Sequence, residues 1–137
     1  MTDDPDLEAR TRLGEAAFNH RDFEEAVTFS KSDAVWDASP VGLGIHEGRE
    51  AMRAFFEDWL ASYEDFEQVS TEFREFGNGV TLDVKRQRAR LVGSNESVEI
   101  HFAAVTAWTD GLVERIITYT DIAEARSVAE RLAKERG

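Results

Sequence analysis

SVEIHFAAVTAWTDGLVERIITY, residues Ser97–Tyr119, is the stretch whose reading decides the fold. Two apolar runs, Ser97–Trp108 and Leu112–Tyr119, flank Asp110-Gly111. That dipeptide readily adopts the left-handed backbone of a tight hairpin turn. A third run, Gly79–Val92, precedes them, with Gly93, Ser94 and Asn95 as the turn between. A helix follows Tyr119: Asp121-Ile122-Ala123-Glu124 has capping-box spacing, and Ile122, Ala125, Ala129 and Leu132 fall on one face. The half of the chain before these strands reads as helical. Helices first and a long antiparallel meander second predict an α+β fold, a sheet curled against its helices around a pocket.

Working outward, Glu47–Tyr63 is the clearest helix. Ala51, Met52, Phe55, Phe56, Trp59, Leu60 and Tyr63 recur at three and four residues and form a broad apolar stripe opposite Arg49, Arg53, Glu57 and Asp58. So aromatic a stripe needs a large partner, and the sheet supplies it. Leu7–Phe18 is a weaker helix, interrupted by Gly14. Asp22-Phe23-Glu24-Glu25 opens a short helix running to Phe29, and Asp33–Ala38 reads as a short strand. Ser39-Pro40-Val41-Gly42-Leu43-Gly44 is a loop. Phe66–Phe76 is a long strand of ambiguous phase, which predicts a bulge. Met1–Asp6 is expected to fray.

Alternation assigns the faces. In Ser97–Trp108 the bulkier set, Val98, Ile100, Phe102, Ala104, Thr106 and Trp108, is expected to face the helices. Glu99, His101, Ala103, Val105 and Ala107 then face outward. The last strand is partly apolar on both sides, so the outer face needs a second cover. A second copy of the chain is the expected one, giving a homodimer through the outer sheet face.

At 137 residues the chain fits one domain with its own core. It has no cysteine, which excludes disulfides, thiolate metal sites and cysteine nucleophiles. Its formal charge of −12 argues against nucleic-acid or anionic-membrane partners. The opening residues are acidic with no apolar leader, and no apolar run approaches the ~20 residues of a membrane helix. A soluble cytoplasmic protein is expected. The three histidines are scattered without metal-ligand spacing, so neither a metal nor a cofactor is expected.

The order helix, short helix, short strand, loop, amphipathic helix, four-stranded meander resembles the cone-shaped fold of the nuclear transport factor 2-like (NTF2-like) superfamily. More closely, it is similar to the SnoaL-like and ketosteroid isomerase-like branch. Asn19–Phe29, Gly48-Arg49-Glu50-Ala51-Met52-Arg53-Ala54-Phe55-Phe56 with Trp59, and Thr109-Asp110-Gly111-Leu112-Val113 with Tyr119 and Asp121 carry the likeness. It implies a curved antiparallel or mixed sheet packed on three N-terminal helices, with a C-terminal helix, over residues 1–137. The isomerases place a general base in an Asp-Pro-Val-Gly sequence. Here that sequence is Ser39-Pro40-Val41-Gly42, and the family's two oxyanion donors fall near Gly14 and Ala104. By this resemblance all three functional positions are replaced, which argues against steroid isomerisation by that route.

Candidates for acid–base chemistry remain. Asp37 and His46 flank the loop and are expected at the mouth of the cone, where a carboxylate can orient an imidazole. The plainer alternative is an exposed loop histidine and a turn-capping aspartate. Asp121 matches a position some SnoaL-like proteins use in catalysis, yet capping already accounts for it. Arg86, Arg88 and Arg90 share a face, and the cost of unpaired charge in an apolar pocket favours the outside. His101 is expected outside beside Glu99, and His20 in solvent. The expected ligand pocket comprises Trp36, Ser39, Met52, Phe55, Trp59 and Tyr63 with Phe102, Ala104, Thr106, Ile116 and Thr118. Three readings follow: a binding protein for a small hydrophobic molecule, a cofactor-independent cyclase, isomerase or hydratase, or a partner-binding module using the sheet face.

Overall fold

The structure, a computed structural model, describes residues 6–137. Residues 1–5 of the segment expected to fray lie outside the described residues. Asp6 itself is ordered as a cap, its carboxylate accepting from the Ala9 amide at 3.0 Å at the start of α1 (Leu7–Asn19). Asp22 caps α2 (Phe23–Ala26) in the same way through Glu25. The strands are β1 (Ser30–Asp37), β2 (Ile45–Glu47), β3 (Tyr63–Gly77), β4 (Val80–Leu91), β5 (Ser97–Thr109) and β6 (Leu112–Tyr119). Helix α3 (Arg49–Leu60) follows β2, and α4 (Ile122–Arg136) closes the chain.

All six strands form one open mixed sheet in the order β2-β1-β6-β5-β4-β3. The meander β3–β6 is antiparallel throughout, whereas β1 runs parallel to β6. Helices α1–α3 cover one face and α4 part of the other. This is the α+β arrangement expected, with three helices on the inner side.

Both tight turns carry the backbone their dipeptides favour. Asp110-Gly111 has φ of 54° and 78°, and Asn78-Gly79, joining β3 to β4, has 56° and 74°. At Gly79 a Cβ would stand 2.6 Å from the Trp108 carbonyl oxygen, so glycine is required there twice over. Register breaks between Ser70 and Glu72, which is the bulge expected in the long strand.

Some boundaries differ from the sequence reading. Ile45–Glu47 pairs with β1 as a three-residue strand, too short to carry a period. The long helix therefore starts at Arg49 rather than Glu47, and Tyr63 belongs to β3 rather than to the helix. The cover of the outer face also differs. Val80, Leu82, Val84, Ala103 and Val105 pack on Ala125, Ala129 and Ala133 of α4 within one chain. Of the last strand, whose two apolar sides called for a second copy, Tyr119 and Ile117 join this cluster under the C-terminal helix. Three alanines let it lie close, and Arg136 latches it by donating to the Trp108 carbonyl (2.7 Å) and Asn78 carbonyl (2.9 Å).

Candidate functional site

Between the inner face and α1–α3 lies a cavity of about 390 Å³. Two aromatic clusters hold it open. Trp36 packs at 5.1 Å on the rings of both Phe55 and Phe56. Phe18 meets Phe56 edge-on at 5.0 Å and Phe66 at 5.3 Å. These rings brace α1 and α3 above the sheet, so the space between is not filled by side chains.

Strand register determines which side chains face it. Across the sheet, Asp83 of β4 aligns with Ala104 and Thr118, and Lys85 with Ser70 and Phe102. Gln87 aligns with Gln68 and Ile100. Trp36, Ile116 and Thr106 form another row on the same face. The cavity therefore has two unlike sides. Its β1–β6 side, roofed by α3, is aromatic and aliphatic: Trp36, Met52, Phe56, Trp59 and Ile116. Trp36 Nε1 donates there to Thr118 Oγ1 at 2.9 Å. The β3–β4 side is polar and buried.

That polar side holds an ion cluster. Lys85 Nζ lies 2.7 Å from Glu15 Oε2 of α1 and 3.0 Å from Asp83 Oδ2, and Ser70 Oγ donates to Asp83 Oδ1. The Lys85–Asp83 approach is a close ion contact rather than an aligned hydrogen bond, leaving Asp83 Oδ2 without a donor among the described residues. The side chains of Glu15, Lys85 and Asp83 are only 13%, 12% and 4% exposed. Next to them Gln68 Nε2 donates to Gln87 Oε1 at 3.1 Å, and both residues are buried. Asn19 secures the Gln68 backbone from both sides, accepting from its amide and donating to its carbonyl.

Of the residues expected to line a pocket, Trp36, Met52, Trp59, Phe102, Ala104, Thr106, Ile116 and Thr118 do line the cavity. Ser39, Phe55 and Tyr63 do not. The Ser39 hydroxyl turns to Asp37 Oδ1 (2.5 Å). Phe55 lies on the far side of Trp36 against the His46 ring at 4.2 Å. Tyr63, at the start of β3, packs on Trp59 and Phe66.

The three acid–base candidates lie away from the cavity. Asp37 and His46 sit on adjacent paired strands one position out of step, since Trp36 pairs with His46 and Asp37 with Ile45. The pleat therefore sends them to opposite faces. His46 Nε2 is bonded to the Leu43 carbonyl at 2.8 Å. Asp37 faces outward, where the Ser39 hydroxyl foremost, with the Ser39 amide and Arg115, holds its carboxyl below the usual range. The serine in the isomerase-like position thus does have a carboxylate beside it, but both stand outside the hollow. Asp121 accepts from the Glu124 amide at 3.0 Å and caps α4.

Arg86 and Arg88 pair across the strands with His101 and Glu99 on the outer face. Arg90, on the same face, meets Glu64 and Asp65. His20 is exposed in its turn. Burial, chiefly, raises the Tyr119 hydroxyl, which sits under α4 rather than in the cavity. Among the described residues, no group of three or more His, Cys, Asp or Glu side chains could hold a metal, and no helix is long and apolar enough to cross a membrane.

Sequence reasoning missed Glu15, Gln68, Asp83, Lys85 and Gln87. A signal for three of them was present: once Arg86, Arg88 and Arg90 face outward, period two turns Asp83, Lys85 and Gln87 inward. Glu15 had none, because only the folded chain brings α1 over β3 and β4.

The same architecture recurs in solved structures. An NTF2-like protein of unknown function from Burkholderia pseudomallei superposes with a TM-score of 0.73 at 22% identity, over 90% of this chain and 96% of that one. TerC, co-crystallised with polyporic acid, gives 0.73 at 18%, over 90% and 98%. The epoxide hydrolase/cyclase-like enzyme SalBIII, described in pyran ring formation in the polyether salinomycin, gives 0.70 at 15%, over 82% and 88%. At these identities the likeness is one of fold. No curated protein matches the chain. The model of the SnoaL-like domain matches residues 11–116, most of the chain, and its architecture is NTF2-like. The chain belongs to the SnoaL-like domain family.

Proposed function

We propose that this protein binds a small, mainly apolar molecule in the cavity beneath α1–α3. The supporting observation is the hollow itself, about 390 Å³ lined by Trp36, Phe56, Trp59 and Phe102 with a short polar wall, the composition of small-molecule sites. Native mass spectrometry of protein purified from its own host tests this. A co-purifying organic compound that is lost when Ala104→Trp fills the hollow is the expected result. A protein that is always bare, and whose tryptophan fluorescence no apolar ring compound alters, overturns it.

A second reading, a cofactor-independent cyclase, isomerase or hydratase, is favoured by one observation. Two carboxylates and an ammonium, Glu15, Asp83 and Lys85, converge within 3.0 Å at the cavity wall. In this reading the proton carriers are this cluster, not Asp37, His46 or Asp121. Since SalBIII is an epoxide hydrolase/cyclase-like enzyme, hydroxy-epoxides are sensible probes. The hydroxyl oxygen attacks an epoxide carbon, the epoxide C–O bond breaks, and the hydroxyl proton passes to the released oxygen. The product is a cyclic ether of unchanged mass. Formation by the native protein and at least tenfold loss in Asp83→Asn are expected; equal rates in both exclude the cluster as proton carrier.

We further propose a homodimer through the part of the outer face that α4 leaves open. Val35 and Ile45 provide its apolar portion, and the Arg86, Arg88, Glu99 and His101 array its polar portion.

A further inference from the structure

The buried glutamine pair on the cavity wall has unused bonding capacity. Gln68 and Gln87 are 8% and 4% exposed and share one side-chain hydrogen bond. An amide offers a carbonyl and an NH2 group, so a single bond between two amides leaves one carbonyl and one NH2 over, whichever way each is oriented. Among the described residues Gln68–Gln87 is the side-chain hydrogen bond these amides make, and both residues line the cavity. Lys85, the next inward position on β4, donates one hydrogen bond to Glu15 and stands in ion contact with Asp83, so its ammonium keeps donor capacity. Successive inward positions on a strand stand about 6.7 Å apart, close to the width of two fused rings. A ligand that displaces water from these groups and leaves them unpaired loses their hydration, so one that completes them is preferred over one that does not.

The charges lining the cavity define the other half of the requirement. They are Arg10, Glu15, Asp83 and Lys85, two cations and two carboxylates, and in the interior the single Lys85 ammonium is already engaged by both carboxylates. An anionic ligand would meet no free cation in the interior and would lose its hydration, and a cationic group at the amides would stand against the Lys85 ammonium.

We propose that Gln68, Gln87 and Lys85 form a recognition subsite for an uncharged ring compound bearing a carbonyl oxygen and a hydroxyl. The glutamine NH2 and the Lys85 ammonium donate to the carbonyl, and the remaining glutamine carbonyl accepts from the hydroxyl. The apolar rings extend towards Trp36 and Trp59. This rests on the cavity-binding reading and adds the chemical class of the ligand.

The test titrates the fluorescence of Trp36, Trp59 and Trp108 with tetralin, hydroxytetralone and hydroxynaphthoate. The native protein and the Gln68→Leu/Gln87→Leu double variant, which removes both amides together, are compared. Hydroxytetralone is expected to bind the native protein at least tenfold more tightly than either tetralin or the charged naphthoate. In the double variant that preference over tetralin vanishes while tetralin affinity is kept, which also reports an intact cavity. Equal affinities in the native protein, tighter binding of the naphthoate, or an unchanged preference in the double variant overturns the subsite and leaves the cavity-binding reading standing. Silence from all three compounds with the native protein overturns both. If the double variant fails to fold, single Gln87→Leu and Gln87→Glu proteins replace it, and both must lower hydroxytetralone affinity at least fivefold.

Discussion

Lys85 governs the electrostatics of the interior. It separates Glu15 from Asp83, whose carboxylates would otherwise face one another away from water. Breaking a buried pair by removing one partner is far more costly than the pair is stabilising. Lys85→Met is therefore expected to lower stability by about 3 kcal/mol, read as a fall in the urea midpoint at unchanged slope. Asp37 poses the opposite case, a carboxyl held low by a hydroxyl. The stability it contributes is full above its unfolded value of about 4 and is lost as pH falls through the lower folded value. Ser39→Ala should accordingly cost about 1 kcal/mol near neutrality and almost nothing in strong acid. Urea unfolding at both pH values checks the difference, and a carboxyl NMR titration should show Asp37 moving upward. These residue roles were the least legible part of the sequence. Asp37 and His46 are nine apart in the chain and touch the same loop, but a one-position offset between β1 and β2 sends them to opposite faces. Glu15 and Lys85 lie seventy residues apart and meet only after the sheet has formed.

At the scale of elements the sequence was far more informative. Turn chemistry at Asp110-Gly111 and period two in β5 located the hairpin and its inward face. The apolar stripe of α3 located the roof. Legibility failed where an element was too short for a period, as in β2, or where position depends on tertiary packing, as in α4. The close approach of α4 makes a clear demand: Ala129 is wholly buried against the sheet. Ala129→Leu overpacks that contact and should cost about 2 kcal/mol in urea unfolding. Gly79→Ala combines a left-handed backbone with a clash on the Trp108 carbonyl and should cost at least as much. Gly14, inside α1, has ordinary helical backbone, and a Cβ would meet Phe29 at a comfortable 3.7 Å. Gly14→Ala is expected to stabilise the protein by about 0.7 kcal/mol, seen as a rise in Tm of a few degrees.

For the whole molecule, the sheet with α4 on its outer side alters what association requires. A second copy is no longer needed to cover Val80, Leu82 and Val105, so the proposed dimer depends on the smaller uncovered surface. Sedimentation velocity at micromolar concentration should show a dimer, and Ile45→Glu should shift it to monomer without a change in far-ultraviolet circular dichroism. A monomeric native protein sinks the dimer and leaves the cavity argument untouched.

The parallel pairing of β1 with β6 has one more consequence. Trp36 finds its indole partner Thr118 eighty-two residues later in the chain, on the strand that pairs with its own. Closing the chamber therefore requires a contact of long sequence separation, which comes late in folding. Any guest would be enclosed by a nearly finished protein, and its presence would act as a brake on reopening.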